Sequence, residues 1–320
     1  MEDKSGHRVP IAAVHSIDHF ALNVPSLDEA RRFFTSFGLD VQTVGHGATS
    51  ELDLRALDGH RWARILPSTS KSLSYLSFSC FDGGLESIRS RVIAAGGRMV
   101  DDVAAATGTH YSQTGLWFRD PDGNVVHVSV GPKTTPYEKT IHTSRSVPPD
   151  SRGAPQRSMT KMIRPRRMSH VLLFTPDINR AVEFYEGALG LKLTDRSPDV
   201  IAFMHAVHGS DHHLIAFAKS SAKGWHHVAW DVDTIDDVGI GASQMAAAGY
   251  GDGWGTGRHV LGSNYFHYVR DPWGSFCEYS ADIDFVTPGT VWPTGDFAPE
   301  DSLYVWGPDV PQYFIHNTEA

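Results

Sequence analysis

A chain of 320 residues, 41% hydrophobic and 20% charged, is long enough for two folded domains, each burying its own core. Its net charge of −9 offers no positive field to collect phosphates, which argues against a nucleic-acid partner. No apolar run approaches the roughly 20 residues of a membrane span, and the apolar stretch at 11–14 is too short for a secretion signal. Cys80 and Cys277 are the only cysteines, so there is no disulfide framework and a reducing cytoplasm fits.

In chain order, the first strong signal is an apolar strand at 19–24 (HFALNV), closed by Pro25, which cannot donate to a ladder. A helix follows. Ser26 and Glu29 stand in capping-box positions, apolar residues recur at 30, 33, 34 and 37, and Gly38 stops it. Alternating strands come next, then a helix over 85–95, then two strands joined by Asp120-Pro121-Asp122-Gly123, a hairpin signal. Residues 133–168, rich in Pro, Ser, Thr and Arg, read as a linker, with the basic run KMIRPRR (161–167) as a solvated part of it. The series then starts again. A strand at 170–175 (HVLLFT) is closed by Pro176, and a helix capped by Asp177 and stopped by Gly190 carries apolar residues at 181, 184, 185 and 188. Strands LIAFA (214–218) and HHVAWDV (226–232) precede a helix over 235–248 capped by Thr234 with Asp237, and a second turn, Asp271-Pro272-Trp273-Gly274. The final segment, 286–320, has five prolines and many aromatics. It reads as a tail packed on the second unit, over the mouth of its cavity.

His19 and His170, Pro25 and Pro176, Ala30 and Ala181, and Asp120-Pro121 and Asp271-Pro272 are all 151 residues apart. So even a spacing means two copies of one unit. The fold expected is α+β: two tandem domains, at 1–132 and 169–285, each of paired βαβββ modules forming a curved mixed sheet around a cavity.

Glu278 sits in an apolar strand, where a carboxylate is costly to bury without a partner. Its counterpart 151 residues earlier is His127; that of His227 is Leu76, and that of His170 is His19. The second copy alone therefore carries His, His and Glu on three strands. Two imidazoles and one carboxylate make the facial triad that holds non-haem Fe(II) with open positions beside it. The expected partner of Glu278 is a metal ion, and the first copy is expected to be structural.

The second copy also reads Gly257, His259, Tyr268, Asp271-Pro272, Gly274 and Glu278. In this it resembles the type I extradiol, ring-cleaving catechol dioxygenases of the vicinal oxygen chelate superfamily, over nearly the full chain. His267 departs from the pattern, which usually has an apolar residue before the Tyr. The resemblance implies metal ligands His170, His227 and Glu278 around Fe(II), with Mn(II) in some relatives. It implies that His213 assists catechol deprotonation, and that His259 and Tyr268 hydrogen-bond the substrate oxygens, Tyr268 also giving a proton. Its partners would be a catecholic molecule and O2, in aromatic compound catabolism, and its state a homo-oligomer of four or more. Strand alternation adds Phe266 to the pocket floor, and Trp225, His205 and Trp254 are candidates for its walls. The same superfamily offers a hydroxyphenylpyruvate-type oxygenase, a glyoxalase-type isomerase and a small-molecule binding protein as alternatives. The oxygenase and the isomerase would lack the pair His259 and Tyr268, and a binding protein would need no metal triad.

Overall fold

The computed structural model describes residues 11–108, 114–139 and 147–320; residues 1–10 of the first expected domain and 140–146 of the expected linker lie outside them. The first half opens with β1 (Val14–Val24), α1 (Leu27–Phe37), β2 (Asp40–Val44), β3 (Glu51–Arg55) and β4 (Arg61–Pro67). It continues with β5 (Ser72–Cys80), α2 (Leu85–Ala94), β6 (Arg98–Met99), α3 (Val103–Thr107), β7 (Leu116–Arg119) and β8 (Val125–Val130). The strands form one sheet in the order β2-β3-β4-β1-β5-β8-β7-β6. β1 is parallel to β4 and β5 to β8, while β1 and β5 meet antiparallel. Each half-sheet is thus one βαβββ module.

The second half repeats the plan with β9 (Arg167–Thr175), α4 (Ile178–Leu189), β10 (Leu191–Ser197), β11 (Ile201–Ala206), β12 (Ser210–Asp211) and β13 (Ile215–Lys219). Next come β14 (Gly224–Asp231), α5 (Ile235–Ala247), β15 (Gly253–His259), β16 (Tyr265–Arg270), β17 (Phe276–Ala281) and β18 (Phe285–Val286). The tail adds α6 (Pro299–Ser302) and β19 (Tyr304–Trp306), and β19 extends the sheet β10-β11-β13-β9-β14-β17-β16-β15-β19 at its edge. The fold is α+β, two tandem pairs of βαβββ modules, as the repeat predicts. No helix among the described residues is long and apolar enough to cross a membrane.

Local chemistry explains the boundaries. The side chains of Ser26 and Asp177 accept hydrogen bonds from the backbone of Glu29 and Arg180, and Thr234 with Asp237 closes a full capping box. Gly38 and Gly190 end α1 and α4 in the left-handed conformation, where a Cβ is strained. At the β16–β17 hairpin the Asp271 carboxylate accepts from the backbone of Trp273 and Ser275, both at 2.9 Å. One apolar core runs through both halves: Phe37 of α1 stacks on Tyr279 of β17 at 3.9 Å, and Phe20 lies 4.8 Å from Trp225. The basic run read as solvated linker is not solvated at its end. Arg166 bonds Asp231 at 2.6 Å and Arg167, inside β9, bonds Asp211 at 2.8 Å, because those buried carboxylates need partners.

Candidate metal centre

Strand register builds the site. His170 stands opposite Ala229, Ala229 opposite Glu278, and Glu278 opposite Tyr268. Side chains of paired residues share a face, so these four form one row across the sheet. His227, two residues before Ala229 on β14, points the same way. One donor atom each from His170, His227 and Glu278 therefore lies within 4.8 Å of the others, and all three residues are buried. Glu278 Oε2 is 3.4 Å from His170 Nε2 and 3.6 Å from His227 Nε2. Neither His227 Nε2 nor Glu278 Oε2 has a hydrogen-bond partner among the described residues. Buried polar atoms left unpaired cost about 1–3 kcal/mol each, and here they converge. Two imidazole nitrogens and a carboxylate oxygen at that spacing fit a divalent ion.

The far side of each donor is held. Asn264 Nδ2 donates to Glu278 Oε1 at 2.9 Å. His170 Nδ1 is 3.1 Å from Ser169 Oγ, which donates to the Asp211 carboxylate at 2.8 Å. His227 Nδ1 lies 2.7 Å from His226 Nδ1. Such outer partners fix ring orientation and ligand basicity. Burial, reinforced by the neighbouring rings of His226 and His170, holds the His227 pKa well below its ordinary value, which keeps a lone pair for a metal.

His170 and His227 open onto a cavity of about 360 Å³, which His213, His259 and Tyr268 also line. The His213 ring packs 3.9 Å from that of His170, and burial drives its pKa well below the usual histidine range. His259 Nε2 and the Tyr268 hydroxyl are 2.9 Å apart, while His259 Nδ1 lies 2.7 Å from the carbonyl of Leu303 in the tail. Burial, then the Glu278 charge, raises the Tyr268 pKa well above its ordinary value. Burial lowers that of His259, with Glu278 opposing. Apolar walls come from Leu172, Phe203 and Leu261, and from Leu303 and Phe314 of the tail.

Four other expectations fail. Phe266 is not on the cavity floor; it stacks behind His259 at 4.0 Å. Trp254 stacks behind Tyr268 at 5.6 Å, and His205 is turned to Thr194 Oγ1 at 2.8 Å. Trp225 faces the first half because a bulge separates it from His227: Leu173 pairs with Trp225 and Leu172 with His227, so one step on β9 spans two on β14. The same bulge lets the consecutive His226 and His227 both reach the cavity.

The first half corrects the repeat alignment. Its matching row is His19, Ser77, His127 and Trp117. The residue two before Ser77 is Tyr75, so Tyr75 takes the place of His227 and Leu76 turns into the shared core. The 151-residue offset slips by one in β5. Tyr75 OH lies 2.7 Å from His19 Nε2, His127 Nδ1 lies 2.9 Å from Ser77 Oγ, and Trp117 stacks on His127 at 4.2 Å. There the ring nitrogens of His19 and His127 are all engaged in hydrogen bonds.

Fold and site together define a protein of two tandem double modules in which, among the described residues, one half alone presents a convergent His, His, Glu set. The chain belongs to the Glyoxalase/Bleomycin resistance protein/Dioxygenase superfamily, whose family model matches residues 16–128 and 167–279. It is 58% identical over 312 residues to metapyrocatechase 2 of Cupriavidus necator, covering 97% of this chain and 94% of that protein. Among solved structures it is similar to the Mn(II)-bound glyoxalase from Novosphingobium aromaticivorans, with a TM-score of 0.73, 25% identity and 95% of each chain covered. It also shares the fold of homoprotocatechuate 2,3-dioxygenase from Arthrobacter globiformis, with a TM-score of 0.73, 19% identity, and 97% of this chain and 93% of that one covered.

Proposed function

We propose that the chain is an extradiol dioxygenase, an oxidoreductase that opens the ring of a catechol beside its hydroxyl pair with both atoms of O2, using Fe(II) held by His170, His227 and Glu278. The observation that carries this is the convergence of three buried donors, two of them with an unpaired atom, at a site where His170 and His227 line a largely apolar cavity. A metal held there supplies open positions for both catechol oxygens and O2. Mn(II) suits the same donors.

The remaining chemistry falls to the side chains around it. Asp195 Oδ2 accepts from His212 Nε2 at 2.9 Å, and His212 Nδ1 lies 3.0 Å from His213 Nδ1. With one hydrogen on each ring, the His213 hydrogen is held on Nδ1, and its Nε2 lone pair is free to take a catechol proton. On the other side Leu303 accepts from His259 Nδ1, so His259 Nε2 accepts from the Tyr268 hydroxyl and aims it. Tyr268 keeps its proton across the working pH range and can give it to the cleaved ring. The largely apolar walls suit an aromatic ring.

The test is an anaerobic preparation loaded with Fe(II) and mixed with substituted catechols in air. Uptake of one O2 per ring, with a yellow product, supports the reading. An isomerase, the reading that likeness to the Mn(II)-bound glyoxalase favours, consumes no O2. We further propose a cytoplasmic homo-oligomer of four or more chains, checked by light scattering in solution; the two cysteines, both free and buried, suit a reducing compartment.

A further inference from the structure

His226 lines the cavity beside His227 yet offers no atom to the donor set. Its ring is 4% exposed, and both nitrogens are engaged. Nε2 lies 2.8 Å from the carbonyl oxygen of Phe314, an atom that can only accept, so the hydrogen of His226 sits on Nε2. Its Nδ1 is then an acceptor, and at 2.7 Å it receives the hydrogen of His227 Nδ1. That leaves the lone pair of His227 on Nε2, the atom facing Glu278 Oε2 at 3.6 Å. Each bond in the chain has only one direction available once the Phe314 carbonyl sets the first.

The carbonyl itself is pinned. The Asn317 amide donates to Ser220 Oγ, Ala222 O and Lys223 O at 3.1, 3.1 and 3.2 Å, tying the tail to the loop before β14. Glu319 Oε1 accepts from Trp225 N at 3.2 Å and from Lys71 Nζ at 2.6 Å. Lys71 lies between β4 and β5 of the first half and is buried, and it also donates to Trp225 O at 3.0 Å. The first half thus supplies an anchor one residue from His226.

We infer that His226, held by the Phe314 carbonyl, is a positioning residue that fixes the orientation and tautomer of His227, and that the C-terminal segment 312–319 is through it a working part of the metal site. This goes beyond the three donors and rests on reading His227 as one of them. A purely packing role is the competing explanation, since the ring of His226 also touches Phe174, Phe276 and Phe314 at 5.0, 5.4 and 4.8 Å between centroids.

The experiment measures Fe(II) affinity alone, by anaerobic competition with a chromophoric chelator, in the full chain. His226→Asn keeps an acceptor oxygen near the Nδ1 position, whereas His226→Gln can reach Phe314 but has nothing at Nδ1. The two are similarly small and polar, so packing loss affects both. The Gln variant is expected to bind Fe(II) about 10–100-fold more weakly, and the Asn variant close to the natural chain. Asn317→Ala is expected to weaken binding in the natural background and to have no further effect alongside His226→Gln, because both cut one chain of bonds. Equal affinities for the Gln variant and the natural chain overturn the inference, as does a loss shared equally by Asn and Gln. An Asn317→Ala effect that is absent, or the same in both backgrounds, removes the tail from it. A natural chain that takes up no Fe(II) overturns the metal reading as well, so the two failures are distinct.

Discussion

Glu278→Gln separates what the buried carboxylate does for function from what it does for folding. Glu278 is 0% exposed, and Asn264 donates to its Oε1, while Oε2 has no hydrogen-bond partner among the described residues. Without a cation, its neighbours are two imidazole nitrogens at 3.4 and 3.6 Å. Breaking a buried charge pair by removing one member costs about 3–5 kcal/mol, because the other is left uncompensated. Metal removal does that here. A neutral glutamine keeps the Asn264 bond and can donate its amide to a histidine lone pair, so it should recover about 1–3 kcal/mol. For domains of this size that is a rise of about 2–12 °C in Tm. Calorimetry in chelator should find the variant melting above the natural chain. Adding Fe(II) at about 100 times its Kd should stabilise the natural chain by about 2.7 kcal/mol and the variant not at all. If the metal-free variant melts lower, or if Fe(II) raises both equally, the charge is not there for a metal.

His127→Ala should leave iron content and O2 uptake intact, since His127 is bonded to Ser77 Oγ and Thr114 O in the other half; loss of either measure contradicts a structural role for that row. Tyr268→Phe should retain iron yet lose about 10²–10⁴-fold in kcat, by oxygraph, since it removes a hydroxyl proton and no donor to the metal. Burial lowers the pKa values of His15, His127, His205 and His267 to about 4. The folded state therefore binds fewer protons than the unfolded one between about pH 6.5 and 4, so their contribution is complete above pH 6.5 and is lost as pH falls through 4. Urea midpoints of the metal-free chain should drop across that window; a flat profile would show that these rings are not buried neutral.

The duplication and the convergence of His170, His227 and Glu278 were legible because they rest on residue identity at a fixed spacing, which strand pairing preserves. Cap residues were legible for a similar reason: Asp177 and Thr234 act within three positions of themselves. What failed was the mapping of sequence parity onto sheet faces. Trp225 was a candidate for the cavity wall, but the β14 bulge sends it to the opposite face from His227. The offset placed Leu76 opposite His227, but one residue of slip in β5 puts Tyr75 there. The supports of the site were invisible for another reason. Asn264 and Asp195 are unremarkable letters until a third dimension brings them to Glu278 and His212. The doublets His212-His213 and His226-His227 were the one available clue, since two adjacent imidazoles on a buried strand need either a bulge or each other.

Both carbonyls that hold cavity imidazoles, at Leu303 and Phe314, follow β17 in the chain. During synthesis the central strands can pair and close their core before either oxygen has left the ribosome. A chain cut short after β17 would lack both of these carbonyls and leave His226 and His259 without those holds. The orientation of those imidazoles is thus set by a segment that lies outside the two repeated units.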